Sequence, residues 1–135
     1  MEDLIVADTD VIIDFFADVP PYAQFVANKI EKNKLAITSV SIFELYAGIT
    51  GKKRLKQVEA FVRSVFTFPL NVVEAAIAAK IFTELKAKGR LIGNQDILIA
   101  GICIANCLPL LTKNVAHFSI IKELKLISIE EKLGT

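Results

Sequence analysis

The sequence predicts an open α/β domain, a central and mainly parallel sheet with helices on both faces. Three observations predict it. Short apolar runs of strand length alternate with helical patterns down the whole chain. Those runs lack polar alternation, as expected of strands buried on both faces. The 135 residues, 53% of them hydrophobic, suit one core, and no linker, repeat or low-complexity segment divides them. Residues 1–135 therefore read as a single domain.

The elements follow in order. Leu4-Ile5-Val6-Ala7 is the first strand, and Asp8-Thr9-Asp10 ends it before a helical stretch over residues 11–16. Pro20-Pro21 opens a second helix through Phe25, Val26 and Ile30, since proline is tolerated in a first turn. Leu35-Ala36-Ile37 is the next strand. Ser39-Val40-Ser41 then leads into a helix over residues 42–47 that Gly48 stops. Residues 52–65 are amphipathic, with Leu55, Val58, Phe61 and Val62 on one side. Residues 66–70 read as a strand whose end Pro69 marks. Asn71 is placed to cap a long helix over residues 72–88, and Gly89 to close it. Residues 96–106 are helical and apolar nearly all round, hence interior. Leu110-Leu111-Thr112 and Leu126-Ile127-Ser128-Ile129 supply the last strands.

Sixteen basic residues nearly cancel fifteen acidic ones, so net charge offers no argument for a nucleic-acid partner. The longest apolar stretch, residues 97–105, falls far short of the ~20 residues that span a bilayer. The N-terminus lacks a basic region and is interrupted by Asp8 and Asp10, which excludes a signal peptide. A cytoplasmic protein is expected. Cys103 and Cys107, four apart, read as two buried thiols in a reducing compartment. With His117 the only histidine, zinc is a poor fit.

Open parallel sheets place their sites at the carboxyl ends of strands. Asp8 follows the first strand, Glu44 comes about a helical turn after the second, Asp96 heads the buried helix, and Asn114 follows the strand at Leu110. Hard oxygen donors with no imidazole or thiolate nearby suit Mg²⁺ or Mn²⁺. Each residue also has a plainer reading. Ser41-Ile42-Phe43-Glu44 fits a capping box, in which Glu44 satisfies a backbone donor. Asp96 fits a first-turn carboxylate favoured by the helix dipole, although an acid heading so apolar a helix asks for a partner. Asp10 fits the cap of the first helix, Asn114 a turn residue, and His117, followed by Phe118, a packing role.

These residues carry a resemblance. Ile5-Val6-Ala7-Asp8-Thr9-Asp10-Val11-Ile12-Ile13 resembles the opening motif of PIN domains, and of VapC toxins especially. Thr38 to Gly48, T-S-V-S-I-F-E-L-Y-A-G, is similar to the segment bearing the family's glutamate. Gly89 to Ala100, G-R-L-I-G-N-Q-D-I-L-I-A, resembles the third motif, and Leu110-Leu111-Thr112-Lys113-Asn114 with His117-Phe118 the last. The resemblance implies a PIN fold and a metal-dependent ribonuclease, the toxin of a VapBC-like toxin–antitoxin pair. Asp8, Glu44 and Asp96 would be its catalytic and Mg²⁺ or Mn²⁺-holding residues, with Asn114 a fourth, neutral candidate where many PIN domains have an acid. It also implies a VapB-like antitoxin and a homodimer. Phe15, Phe16, Phe43 and Tyr46 agree with a buried interface, or equally with a core.

Two alternatives stay open. Asp8-Thr9-Asp10-Val11 also resembles the first motif of haloacid dehalogenase-like phosphatases, with Asp8 as nucleophile, Asp10 as acid/base and Lys113 as a later element. The late acidic pair and cap module of those enzymes are missing. The other is a non-catalytic RNA- or protein-binding PIN domain. Lys52, Lys53, Arg54 and Lys56, and then Lys86, Lys88 and Arg90, form basic clusters that read as solvated faces or as RNA phosphate contacts.

Overall fold

The computed structural model describes residues 3–129. Its centre is β1 (Ile5–Ala7), which pairs in parallel with β2 (Leu35–Thr38) on one side and β4 (Leu110–Leu111) on the other. β3 (Phe66–Phe68) and β5 (Leu126–Ile127) are the outer strands, giving the order β3-β2-β1-β4-β5. All four pairings are parallel. Parallel neighbours need crossovers, and helices supply them. α1 (Thr9–Phe16) and α2 (Tyr22–Glu31) join β1 to β2. α3 (Ser39–Ala47) and α4 (Lys52–Ser64) join β2 to β3. α5 (Val72–Ala87) and α6 (Asn94–Ala105) return to β4, and the short α7 (Val115–Phe118) precedes β5.

The unalternating strands divide their side chains between two cores. Ile5, Ala7, Leu35 and Ile37 pack with Val11, Val26, Val58 and Phe61 on one face. Val6, Ala36 and Leu110 pack with Ala78, Ile99, Ile102 and Phe118 on the other. A one-residue slip of a strand would exchange these sets, so the register is strongly specified. Phe15 and Phe16 belong to the first core, their rings 5.8 and 5.6 Å from that of Phe61. Phe43 and Tyr46 are exposed.

Caps move several helix starts from their expected places. α1 begins at Thr9 because Asp8, in extended backbone, accepts the Thr9 N–H on its own carboxylate. The cap expected of Asp10 thus belongs to Asp8, and Asp10 sits in the first turn. α3 begins directly after β2 because the Thr38 hydroxyl accepts the Ser41 N–H at 3.1 Å. Asn71 holds the cap position of α5, but its side chain makes no capping bond. α2, α5 and α6 end in paired bonds back to the last turn, through left-handed Asn33, Gly89 and Cys107. That turn leaves Cys107 exposed, against the expected two buried thiols; only Cys103 is buried. α6 is interior as expected, and Gly101 is what lets it approach α5: a Cβ there would stand 2.8 Å from Ala78 Cβ.

Candidate active site

The chain winds outward from β1 to β2 and β3, then returns to β4 on the other flank of β1. In such sheets the crevice at this reversal, at the carboxyl ends, is where ligands gather. Asp8 leaves β1 there, and Thr112 leaves β4. The Thr112 hydroxyl donates to Asp8 Oδ2 at 2.7 Å, while the Thr9 N–H donates to Oδ1 at 2.9 Å. Thr112 Oγ1 in turn accepts the Asn114 N–H at 2.9 Å. Asp8 is only 5% exposed. Burial pushes its carboxyl up to about 6, the two hydrogen bonds pull the other way, and the charges of Asp96 and Asp10 add to the rise. Among the described residues, no lysine, arginine or histidine is among these influences.

Asp96 comes to the same edge from the first turn of α6. Burial raises its pKa first, and Asp10 adds to that. His117 opposes both, its Nδ1 3.7 Å from Asp96 Oδ2. The packing role expected of His117 belongs instead to Phe118, which is fully buried while His117 stays half-exposed. Asn114 Nδ2 lies 2.8 Å from the same Nδ1. Unprotonated, that nitrogen accepts from Asn114; protonated, it pairs with Asp96.

Glu44 arrives by another route. The Thr9 hydroxyl has one proton and donates it to Glu44 Oε1 at 2.7 Å, so the Ser41 hydroxyl, 2.9 Å away, donates to Thr9. The capping box read at Ser41–Glu44 does not form, because Thr38 is the cap and takes the Ser41 N–H. Asp8 and Glu44 are thus bridged by one residue, Thr9, whose backbone serves the first and whose hydroxyl serves the second. Thr9 and Thr112 were missed in the sequence reading. A threonine within two residues of a strand's end is the signal they carry, and it is a weak one. Asp10, assigned only as a cap, also bears on the site through its charge.

Asp8, Asp10 and Asp96 therefore share one edge, and against the expectation of no imidazole nearby, the His117 ring stands beside Asp96. Among the described residues, no three His, Cys, Asp or Glu side chains stand ready as a cation cage. The arrangement is a buried acid, a half-buried partner and satellites. Its donor chemistry fits a hard divalent ion, and the buried Asp8 without a cation is the observation that favours one. Lys113 does not fill that need, since its Nζ is 2.8 Å from Asp14 Oδ2. Of the basic clusters, Arg54 stacks over Phe16 and bonds Gln57, whereas Lys88 and Arg90 lie on the turn leading to α6 and Asp96.

A parallel α/β sheet with an acidic crevice at its topological reversal defines the class. The PIN-domain family model matches residues 5–123, and the chain belongs to the PIN-domain family. Ribonuclease VapC1 of Methanocaldococcus jannaschii is 32% identical over 129 residues, 90% of this chain and 84% of that protein. Ribonuclease VapC2 of Rickettsia felis is 32% identical over 99 residues, 70% of this chain and 73% of that one. The structure of VapBC2 from Rickettsia felis, bound to a promoter DNA fragment, superposes with a TM-score of 0.82 at 26% identity, covering 92% of this chain and 97% of that one. DNA-bound VapBC from Salmonella typhimurium gives 0.80 at 23% identity over 92% and 96%, a likeness of fold. Family membership removes the phosphatase reading, and the commitment of Lys113 to Asp14 agrees.

Proposed function

We propose that this chain is a ribonuclease of the VapC kind, the toxin of a toxin–antitoxin pair, which cuts RNA phosphodiester bonds with Mg²⁺ or Mn²⁺ at the Asp8–Asp96 edge. The observation that carries this reading is the buried Asp8 carboxyl, oriented by two hydrogen bonds, flanked by two more acids and without a cation. Relatives at 32% identity named as ribonucleases VapC support it. Divalent-metal use goes with that family in general; the choice of Mg²⁺ or Mn²⁺ rests on the hard donor set.

When bound, the ion would offset charge growing on the phosphate oxygens and acidify the attacking water. The chain's own residues hold and orient. Thr9 N–H and the Thr112 hydroxyl fix both oxygens of Asp8, so one carboxylate face is left for the ion. Asp96 would be its second protein ligand. Glu44, aimed by the Thr9 hydroxyl, would hold the ion through water or accept a proton from the nucleophile. Asn114 orients His117 at the rim rather than serving as a ligand. The partner in this reading is a VapB-like antitoxin, as in the VapBC structures. The toxin itself would be a homodimer, and exposed Phe43 and Tyr46 on α3 offer apolar surface for assembly. No helix among the described residues is long and apolar enough to cross a membrane.

The test is RNA cleavage by the purified chain, in EDTA and then with Mg²⁺ or Mn²⁺. Cleavage should need the metal, and Asp8→Asn, Asp96→Asn and Glu44→Gln should each lower it on the order of 10²-fold or more. Metal-independent cleavage, or full activity in Asp8→Asn, would refute the assignment.

A further inference from the structure

The non-bridging oxygens of an RNA phosphate only accept hydrogen bonds, so an edge built of carboxylates must hold the backbone by the few donors among them. Most of those donors are spent inside the protein. The Thr9 hydroxyl goes to Glu44, the Ser41 hydroxyl to Thr9, the Thr112 hydroxyl to Asp8, and Lys113 is drawn to Asp14 and the Tyr22 ring. His117 is the exception. Its ring stands half-exposed at the rim, with Nδ1 2.8 Å from Asn114 Nδ2 and 3.7 Å from Asp96 Oδ2. Among the described residues, its Nε2 has no hydrogen-bond partner. The backbone beneath the ring is fixed, since the His117 and Phe118 N–H groups both bond the Asn114 carbonyl and the Phe118 side chain is fully buried.

The neighbours of Nδ1 keep a proton on Nε2 in either charge state of the ring. The Asn114 amide nitrogen can only donate, so in the neutral ring Nδ1 accepts and the single proton sits on Nε2. In the protonated ring Nδ1–H turns to Asp96, and Nε2 still carries its own proton. We propose that His117 is an RNA-binding residue, whose Nε2–H donates to a non-bridging oxygen of a backbone phosphate held at the Asp8–Asp96 edge. The contact presupposes the ribonuclease reading and deepens it, gripping the substrate rather than the ion. Because it goes to phosphate, it carries no base preference.

His117 is the only histidine in the chain, so its ring signals are unambiguous in nitrogen NMR of the full chain isotope-labelled at histidine. At mildly alkaline pH with Mg²⁺, the spectrum should show the neutral ring as the Nε2–H tautomer. The probe is random-sequence RNA hexanucleotides with NH in place of each bridging 3′ oxygen, which keep both non-bridging oxygens but resist cutting. At millimolar concentration they should move the Nε2 signal more than that of Nδ1. Their affinity, read by fluorescence anisotropy, then compares two variants. A glutamine amide nitrogen reaches the place of Nε2, and an asparagine one that of Nδ1. His117→Gln should therefore stay within about threefold of wild type, and His117→Asn should bind on the order of tenfold more weakly, as loss of a hydrogen bond to a charged group does. A neutral ring in the Nδ1–H tautomer, an Nε2 signal unmoved by RNA, or equal affinities in the two variants overturns the contact. Cleavage of ordinary RNA by the wild type in Mg²⁺ tells the two readings apart. RNA that moves Nε2 but is never cut refutes the ribonuclease, and RNA that is cut while Nε2 stays unmoved refutes the His117 contact alone.

Discussion

Replacing Asp8 by Asn removes a carboxyl group that folding pushes out of water beside two other acids. Its pKa rises from 3.8 unfolded to about 6 folded. The folded state therefore holds the proton more tightly, and the group costs nothing well below pH 4, then costs stability progressively as pH rises through 3.8 and on past 6. A shift of about two units corresponds to about 3 kcal/mol at pH 7.5 and about 1 kcal/mol at pH 4.5. Asn keeps the cap on the Thr9 N–H but meets the Thr112 hydroxyl less well, which costs about 1 kcal/mol. The net gain for the variant is then about 2 kcal/mol at pH 7.5, roughly 8 °C in melting temperature for a chain of this size, and near zero at pH 4.5. The assay is a pair of thermal melts in EDTA at the two pH values, where changes in other groups largely cancel between wild type and variant. Added Mn²⁺ should raise the wild type more than the variant, narrowing the gap at pH 7.5. A variant that melts lower than wild type at pH 7.5, or by the same margin at both pH values, would refute the argument that burial without a cation dominates at Asp8.

Thr9→Val deletes the hydroxyl that aims Glu44 and should lower metal-dependent cleavage severalfold, whereas Thr9→Ser should restore it; equal rates in the two would show that Glu44 needs no aiming. Asn114→Asp adds a negative charge at the rim beside His117 and Asp96 without adding a ligand, and through that charge should lower the Mn²⁺ concentration for half-maximal cleavage. An unchanged or higher requirement would show that charge at residue 114 does not reach the metal. Gly101→Ala places a methyl 2.8 Å from Ala78 Cβ and 2.9 Å from the Glu74 carbonyl. Overpacking of about 1–3 kcal/mol should outweigh the helix-propensity gain of at most ~1 kcal/mol, giving a lower urea midpoint; a stabilised variant would show that α5 and α6 can separate freely.

A mainly parallel sheet was legible because both of its faces are buried; that every pairing is parallel came from the structure. Leu35-Ala36-Ile37 and Leu110-Leu111 need no polar alternation, and an unalternating run five or fewer residues long has few other uses. The interior α6 was legible for the same reason. Of the candidate site, the places of Asp8 at a strand's end and Asp96 at a helix's head were legible, and the structure puts Asp96 close enough for its charge to bear on Asp8. What failed were assignments that depend on one rotation or one residue of phase. Which residue caps α1, whether Ser41 caps or is capped, and whether Cys107 lies in the helix or just past it all turn on local backbone angles. Composition does not specify those angles.

Apolar patterning by itself determined the fold class, the burial of strands on both faces and the edge at which acids would collect, because hydrophobic burial reads side chains in sets and tolerates small local errors. Only the tertiary structure decided that Thr112, 104 residues from Asp8, orients its carboxylate; that Thr9 ties in Glu44; and that His117 attends Asp96. Hydrogen bonds and charge interactions are short-ranged and directional, so they are settled atom by atom once distant segments meet, and no spacing along the chain encodes them.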